Sequence, residues 1–145
     1  MPDPVRSPLT DYHVSQGAGW SEYHGGVVPS RFSDPVAEHH AVRKAAGLLD
    51  FSFRSKFAVK GADRVRFLQG MVSNDVQILT ADRGTYATLL NVQGQILADL
   101  RIFCEAECFL VDTDADLRSK VIDTLERYII MDEVELEPLD QFALA

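Results

Sequence analysis

Cysteine is nearly missing from this sequence: Cys104 and Cys108 are the whole complement. Two are too few for a disulfide framework or a complete zinc site. They flank Glu105-Ala106-Glu107, which reads as a turn, so the sequence predicts a free thiol pair facing each other across a hairpin. No apolar run approaches the roughly 20 residues a membrane helix needs, and residues 1–30 lack the apolar core of a signal peptide. The cytoplasm is therefore the default compartment. Cations are scarce too, with 14 Lys and Arg against 22 Asp and Glu. The deficit is local: residues 105–145 carry 3 basic against 12 acidic side chains, while residues 1–104 carry 11 against 10. Such a balance repels phosphate backbones and argues against a nucleic-acid partner; the acidic stretch reads as a solvated face.

What remains is an ordinary globular composition, 46% hydrophobic in 145 residues, enough for one domain that buries roughly two-thirds of its unfolded surface. Residues 1–32 show no sustained period. Gly17, Gly19, Gly25, Gly26 and Pro29 punctuate them, and they read as an amino-terminal arm that packs Tyr12, Trp20 and Tyr23 on the body. At Ser33-Asp34-Pro35 a helix starts, with Asp34 as cap and Pro35 where its missing N–H is harmless. Val36, His39 or His40, Val42 and Ala46 share one face of it, and Gly47 supplies a stop. Phe57 to Gly61 reads as a strand and turn, and Ala62 to Gln69 as a short helix closed by Gly70.

Tyr86 to Leu90 reads as a strand, Gln93-Gly94 as a tight turn, and Gln95 to Phe103 as the returning strand. Alternation sets Ile96, Ala98, Leu100 and Ile102 on one face and Leu97, Asp99, Arg101 and Phe103 on the other. A third strand covers Phe109 to Val111, and a helix runs from about Asp114 to Ile130, opened by a Thr113-x-x-Asp116 capping pattern. Glu133 to Glu137 alternates as a last half-buried strand, and the apolar Phe142-Ala143-Leu144-Ala145 predicts a cut end. The fold class is α+β, antiparallel strands packed with helices, in a domain spanning residues 33–145 that is truncated at its carboxyl end.

Spacing alone marks one unusual residue. Asp99 is the one acid inside the central hairpin strand, and a buried carboxylate is costly unless it is paired. It is either a structural or solvent-facing acid, with Arg101 on the same face as a simple ion-pair partner, or it is held for a purpose. Tyr86 on the partner strand serves packing or stacks on a planar ligand. Ser73-Asn74-Asp75 reads as a helix exit with an Asx turn. His39 and His40 lie about 100° apart on their helix and cannot chelate one metal from one face.

Three segments read together resemble a known family. Glu38-His39-His40-Ala41-Val42-Arg43-Lys44-Ala45-Ala46-Gly47-Leu48-Leu49-Asp50 resembles an "EHxAVRxxAGLFD" segment. Gly61-Ala62-Asp63-Arg64-Val65-Arg66-Phe67-Leu68-Gln69-Gly70 with Ser73-Asn74-Asp75-Val76 resembles "GxDAxxFLQ…TNDV". Tyr86 to Leu100 resembles "YTLLLNxxGGIxDDL". These are segments of the glycine-cleavage T-protein and YgfZ superfamily, in the family's order. The resemblance implies the front part of a tetrahydrofolate-binding domain, with folate as small-molecule ligand. It implies that Asp99, matching the second acid of the paired "DD", is the catalytic acid near the reacting folate nitrogens. By the same resemblance Tyr86 lines the folate, and Asp114 falls where the family often carries an Asn.

The first acid of the pair is Ala98, Phe67-Leu68-Gln69-Gly70 has the YgfZ form, and the family's "DVSHMGK" becomes Asp50-Phe51-Ser52-Phe53-Arg54-Ser55-Lys56. These departures place the chain nearer the YgfZ-type branch, implying a role in iron–sulfur protein assembly or repair with iron–sulfur client proteins as partners. The alternative is an aminomethyltransferase of the glycine cleavage system, served by a lipoyl carrier protein. A third reading is a non-catalytic partner-binding module, as in the related amino-terminal domain of a tRNA-modifying GTPase.

Overall fold

Short strands between punctuating glycines build the amino-terminal region. The computed structural model describes residues 5–24 and 26–139, and for Val5 and Arg6 the backbone alone. The described residues divide into two compact units, one up to Arg54 and the other from Ser55 onward. Among the described residues no helix is long and apolar enough to cross a membrane. The apolar end segment at 142–145 lies outside the described residues.

In the first unit β1 (Val5–Arg6), α1 (Thr10–Ser15), β2 (Gly19–Tyr23) and β3 (Gly26–Arg31) occupy the stretch where the sequence shows no period. They form a three-stranded sheet in the order β1-β3-β2, antiparallel between β2 and β3 and parallel between β1 and β3. α2 (Pro35–Lys44) starts as predicted, with the Asp34 carboxylate accepting the Ala37 N–H at 2.9 Å. Glu38 reaches back to accept the Phe32 N–H at 2.8 Å, which satisfies a further donor at the entry. The helix ends at Ala45, ahead of Gly47, and buries none of its residues; Val36 and Val42 are exposed. The shared face seen in the sequence is therefore not a core face within this unit.

A buried polar cluster, invisible in the sequence, ties this unit together. The Asp50 carboxylate accepts the Ser7 hydroxyl at 2.5 Å and His13 Nε2 at 2.7 Å through one oxygen, and the Ser52 N–H at 2.8 Å through the other. His13 itself stands among the rings of Tyr12, Trp20 and Phe32. Burial pushes the Asp50 carboxyl up, but the hydrogen bonds from Ser52, Ser7 and His13 outweigh it and hold the group below the ordinary carboxylate range. A depressed folded-state value means stabilisation that is fully present above the unfolded value, near 3.9, and is lost as pH falls through the folded one. Asp50→Asn is accordingly expected to lose about 1–3 kcal/mol at neutral pH, with the gap to the wild type closing in acid. Urea unfolding across a pH series reads this; a gap equally wide at about pH 3 and pH 7 would mean that the carboxylate charge contributes nothing.

The second unit is a five-stranded sheet in the order β5-β6-β7-β4-β8, antiparallel throughout. Its strands are β4 (Ser55–Lys60), β5 (Arg83–Leu90), β6 (Ile96–Cys104), β7 (Phe109–Thr113) and β8 (Glu135–Leu139). The architecture is α+β, as the sequence predicts. One face of the sheet carries Phe57, Val59, Ala87, Leu89, Ala98, Leu100, Ile102, Phe109 and Val111, all buried. α3 (Arg64–Met71) contributes Phe67 and Leu68 to that core, and α4 (Arg118–Glu126) contributes Val121 and Leu125. Each fully buried large side chain stabilises by about 1.5–3 kcal/mol relative to exposure.

Three expectations shift. Gly70 lies inside α3 and does not close it. Ile96 leaves the core face, 67% exposed, because the β5–β6 register slips between Leu89 and Leu90 beside the turn. The predicted long helix is a 3₁₀ turn (Ala115–Leu117) followed by α4, and Thr113 does not cap it. Its hydroxyl donates instead to the Asp99 carbonyl oxygen at 3.0 Å, tying β7 to β6 where their ladder ends. Pro138 is accommodated because β8 is an edge strand.

Candidate functional site

Since β5 and β6 each hide every second residue in the core, the residues between them are forced onto the opposite face. Register fixes who stands beside whom. Tyr86 is directly opposite Arg101, and Thr88 is directly opposite Asp99. Arg101 is in turn opposite Asp112 on β7, and Asp112 is opposite Lys56 on β4. The result is a polar row, Tyr86–Arg101–Asp112–Lys56, crossing four adjacent strands, with Asp99 and Thr88 forming a shorter row beside it.

The row grades from open to closed. Tyr86 is 58% exposed, Asp99 is half-buried, and Asp112 and Lys56 are 0% and 1% exposed. Arg101 Nη1 lies 3.9 Å from Asp112 Oδ1, an ion pair with one partner buried. Asp99 and Tyr86 are thus brought onto one face as diagonal neighbours, within reach of a long or aromatic side chain. Asp114 lies two residues beyond Asp112, past the last paired residues of the ladder, so it stands at the end of this face and not within it.

The Ser73-Asn74-Asp75 segment acquires a role that its Asx-turn reading did not contain. Asp75 does make the turn, accepting the Gln77 N–H at 3.0 Å. Its neighbours brace the outer edge of β5: Asn74 Nδ2 donates to the Tyr86 carbonyl at 3.0 Å and to Thr85 Oγ1 at 2.7 Å. Ser73 Oγ accepts the Thr88 N–H at 2.9 Å, and the Ser73 N–H donates to the Thr88 carbonyl at 3.0 Å. The strand carrying Tyr86 and Thr88 therefore has its outer edge held by this loop at both residues, which fixes both side chains on the polar face. Gly84 leaves the room that Phe103 fills, since a Cβ there would come within 2.8 Å of the Phe103 ring.

Other features stand apart from this face. A groove of about 600 Å³ lies between the β5–β6 turn and α4, floored by Leu90, Val92 and Leu97 and edged by Asp116, Lys120, Asp123 and Arg127. These two acids and two bases alternate in sign, so the groove's edge carries no net charge. Cys104 and Cys108 are free, as predicted. Cys104 pairs with Phe109 and ends the core-facing row of β6, while Cys108 sits in the turn beyond. Burial pushes the Cys108 thiol up, with Glu105 adding to it, so this sulfur is a poor nucleophile.

A half-buried acid and an exposed tyrosine thus share one hairpin face, beside the loop that carries Ser73, Asn74 and Asp75. Residues 9–144 match the GCVT N-terminal domain. The chain belongs to that family. GCVT-domain relatives include an aminomethyltransferase of Bordetella parapertussis, 34% identical over 96% of this chain and 39% of its own length. Another, from Anoxybacillus flavithermus, is 39% identical over 70% of this chain and 28% of its own. Among solved structures, the crystal structure of the glycine cleavage system aminomethyltransferase T from Bartonella henselae superposes with a TM-score of 0.79. It is 27% identical and covers 94% of this chain and 38% of that one. The chain thus spans about two-fifths of the length of these relatives. They carry the transferase name, and nothing in them sets this GCVT domain nearer to the YgfZ-type branch.

Proposed function

We propose that this GCVT domain supplies the tetrahydrofolate-facing wall of an aminomethyltransferase, which moves a one-carbon unit from a lipoyl-bound aminomethyl group to tetrahydrofolate. The observation that carries the reading is the shared sheet face of Asp99 and Tyr86 in a chain whose relatives bear that name. Tetrahydrofolate, when bound, brings the amine that accepts the one-carbon unit. Asp99 orients that amine and holds its proton as the new nitrogen–carbon bonds form, while the carbon's bonds to the lipoyl sulfur and to its own amino group break. The two folate N–H protons leave on the freed lipoyl thiol and on released ammonia. Tyr86 offers a ring face for the pterin, and Thr88 a hydroxyl beside Asp99. Asp114, at the end of the face, contacts the ligand's periphery. A lipoyl carrier protein is the partner this chemistry requires.

Ala98 weighed in the sequence toward the iron–sulfur branch. Its position lightens that weight: Ala98 is 3% exposed and points into the apolar core, away from Asp99. An acid there would not share the face of Asp99, so its absence takes nothing from the proposed site. A role in iron–sulfur protein maturation and a non-catalytic module therefore become the readings to which failure would return.

The test is calorimetric titration of the naturally expressed polypeptide with reduced tetrahydrofolate under anaerobic conditions. Saturable binding is expected, weakened by about 1–3 kcal/mol in Tyr86→Ala if the ring stacks on the pterin. Absence of saturable binding by folded wild type would remove the folate reading altogether.

A further inference from the structure

Tyr86 takes its place on the polar face from the backbone beneath it. Its side chain is exposed, so packing encloses only part of the ring and the β5 main chain decides where it stands. β5 is an edge strand, paired with β6 on one side only. On the other side the Tyr86 carbonyl points outward, where an edge group is ordinarily left to water and its strand is free to twist. Here Asn74 closes it.

The Asn74 amide fits in one orientation. Nδ2 donates to the Tyr86 carbonyl and to Thr85 Oγ1, and Oδ1 accepts the Asp75 N–H at 2.8 Å. Turned over, it would set Oδ1 against a carbonyl and Nδ2 against an N–H, two repulsive contacts in place of the bonds. Both donor hydrogens are thus committed to β5. The loop is itself anchored on either side of Asn74. Val72 bridges to Leu89, Ser73 bonds both main-chain groups of Thr88, and the buried Val76 donates its N–H to Gln69 Oε1 at 2.8 Å. A loop held at these points can hold a strand in turn. The main-chain groups of Tyr86 and Thr88 that face the loop are not used in bonding β6. Tyr86–Arg101 and Thr88–Asp99 are therefore the narrow pairs of the ladder, whose side chains lie closest. A small movement of the β5 edge then changes the spacing between the Tyr86 ring and Asp99.

We propose that Asn74 is a positioning residue for the ligand face: by bonding the Tyr86 carbonyl it fixes the angle at which the Tyr86 ring meets a planar heterocycle. It acts through Tyr86 and not by contact with the reacting atoms. The proposal rests on the tetrahydrofolate reading of this face. Stacking depends on ring overlap and angle, and a ring already held in place loses less freedom when the ligand arrives.

Two substitutions test it. Asn74→Asp keeps the oxygen that serves the Asp75 N–H and removes both donors; Asn74→Ala removes the amide without adding a charge. Asn74 is exposed, so neither opens the core. Each variant of the naturally expressed polypeptide is titrated calorimetrically with reduced tetrahydrofolate, alone and combined with Tyr86→Ala. Each alone is expected to weaken binding about 5- to 10-fold, the effect of one net hydrogen bond. In the Tyr86→Ala background the loss should shrink to less than about twofold, because the amide then has no ring to position. A brace that serves stability alone would act equally in both backgrounds. A loss of the same size with and without Tyr86, or an affinity within about twofold of wild type in folded Asn74→Ala, overturns the proposal.

If wild type binds no tetrahydrofolate, the proposed function falls and Asn74 is judged on the ring itself. Carbon relaxation of the labelled Tyr86 ring then compares wild type with Asn74→Ala. A more mobile ring in the variant keeps Asn74 as the residue that places Tyr86, and equal mobility overturns that role.

Discussion

Replacing Asp99 by Asn is expected to slow one-carbon transfer by about 100- to 10,000-fold while leaving the fold intact. The size of the effect comes from what the substitution removes. Asn matches the shape of Asp and keeps one acceptor oxygen, but it cannot take a proton at the pH of the reaction. The fold survives because the local structure is held by other groups: Thr113 bonds to the Asp99 carbonyl, and Thr88 opposite is fixed by Ser73. Single-turnover transfer from an aminomethyl-loaded lipoyl carrier, measured in the naturally expressed polypeptide, separates the loss in chemistry from any loss in binding. A variant within about threefold of wild type would relocate the acid elsewhere, since a positioned carboxylate is worth more than that. Asp114→Asn, at the end of the face, serves as the internal comparison and should cost less than Asp99→Asn.

Alternation was what the sequence displayed best. Ala98, Leu100 and Ile102 face the core and Asp99 and Arg101 face away, because a strand with period two leaves no other arrangement. The start of α2 was equally legible, since Asp34 and Pro35 act within one turn of chain. What stayed hidden depends on partners far away in sequence. The pairing of β1 with β3 is parallel and involves two residues of β1, too short for a period to register. The Ser7–His13–Asp50 cluster joins residues separated by 43 and 37 positions, each of an ordinary polar type in its own neighbourhood. Thr113 looked like a helix cap because capping is a local pattern, yet its hydroxyl found the Asp99 carbonyl on β6. The polar row itself was half visible: Asp99 and Arg101 share a strand, but Asp112 and Lys56 join them only through the order β6-β7-β4.

Gly61→Ala is expected to be the most damaging single methyl in the second unit, costing about 3–5 kcal/mol of stability. Gly61 ends β4 at φ +104°, a conformation that strains any side chain. Strain alone would account for about 1–3 kcal/mol. The rest comes from position, because a Cβ at Gly61 would come within 2.0 Å of the Glu133 carbonyl oxygen and 3.0 Å of the Val134 Cα. Both are backbone atoms, so no rotamer change relieves the clash. Nor can the 133–134 segment retreat easily. The Asp63 N–H donates to the Glu133 carbonyl at 3.2 Å, Asp63 Oδ2 accepts the Glu133 N–H at 2.9 Å, and Arg66 pairs with Asp132 at 2.6 Å. Two residues on, Glu135 pairs with Lys60 in the β4–β8 ladder, so backing away from the new methyl would pull β8 from the sheet. Two other glycines separate the contributions. Gly94 also has positive φ, +78°, but open space around it, so Gly94→Ala should cost the conformational part alone. Gly70 lies in α3 with nothing within 4 Å, and Gly70→Ala should stabilise by about 0.5–1 kcal/mol through helix propensity. Urea unfolding of the three variants gives the comparison directly. If Gly61→Ala costs no more than Gly94→Ala, the Asp63 and Arg66 staples yield, and β8 is held to β4 less firmly than its hydrogen bonds imply.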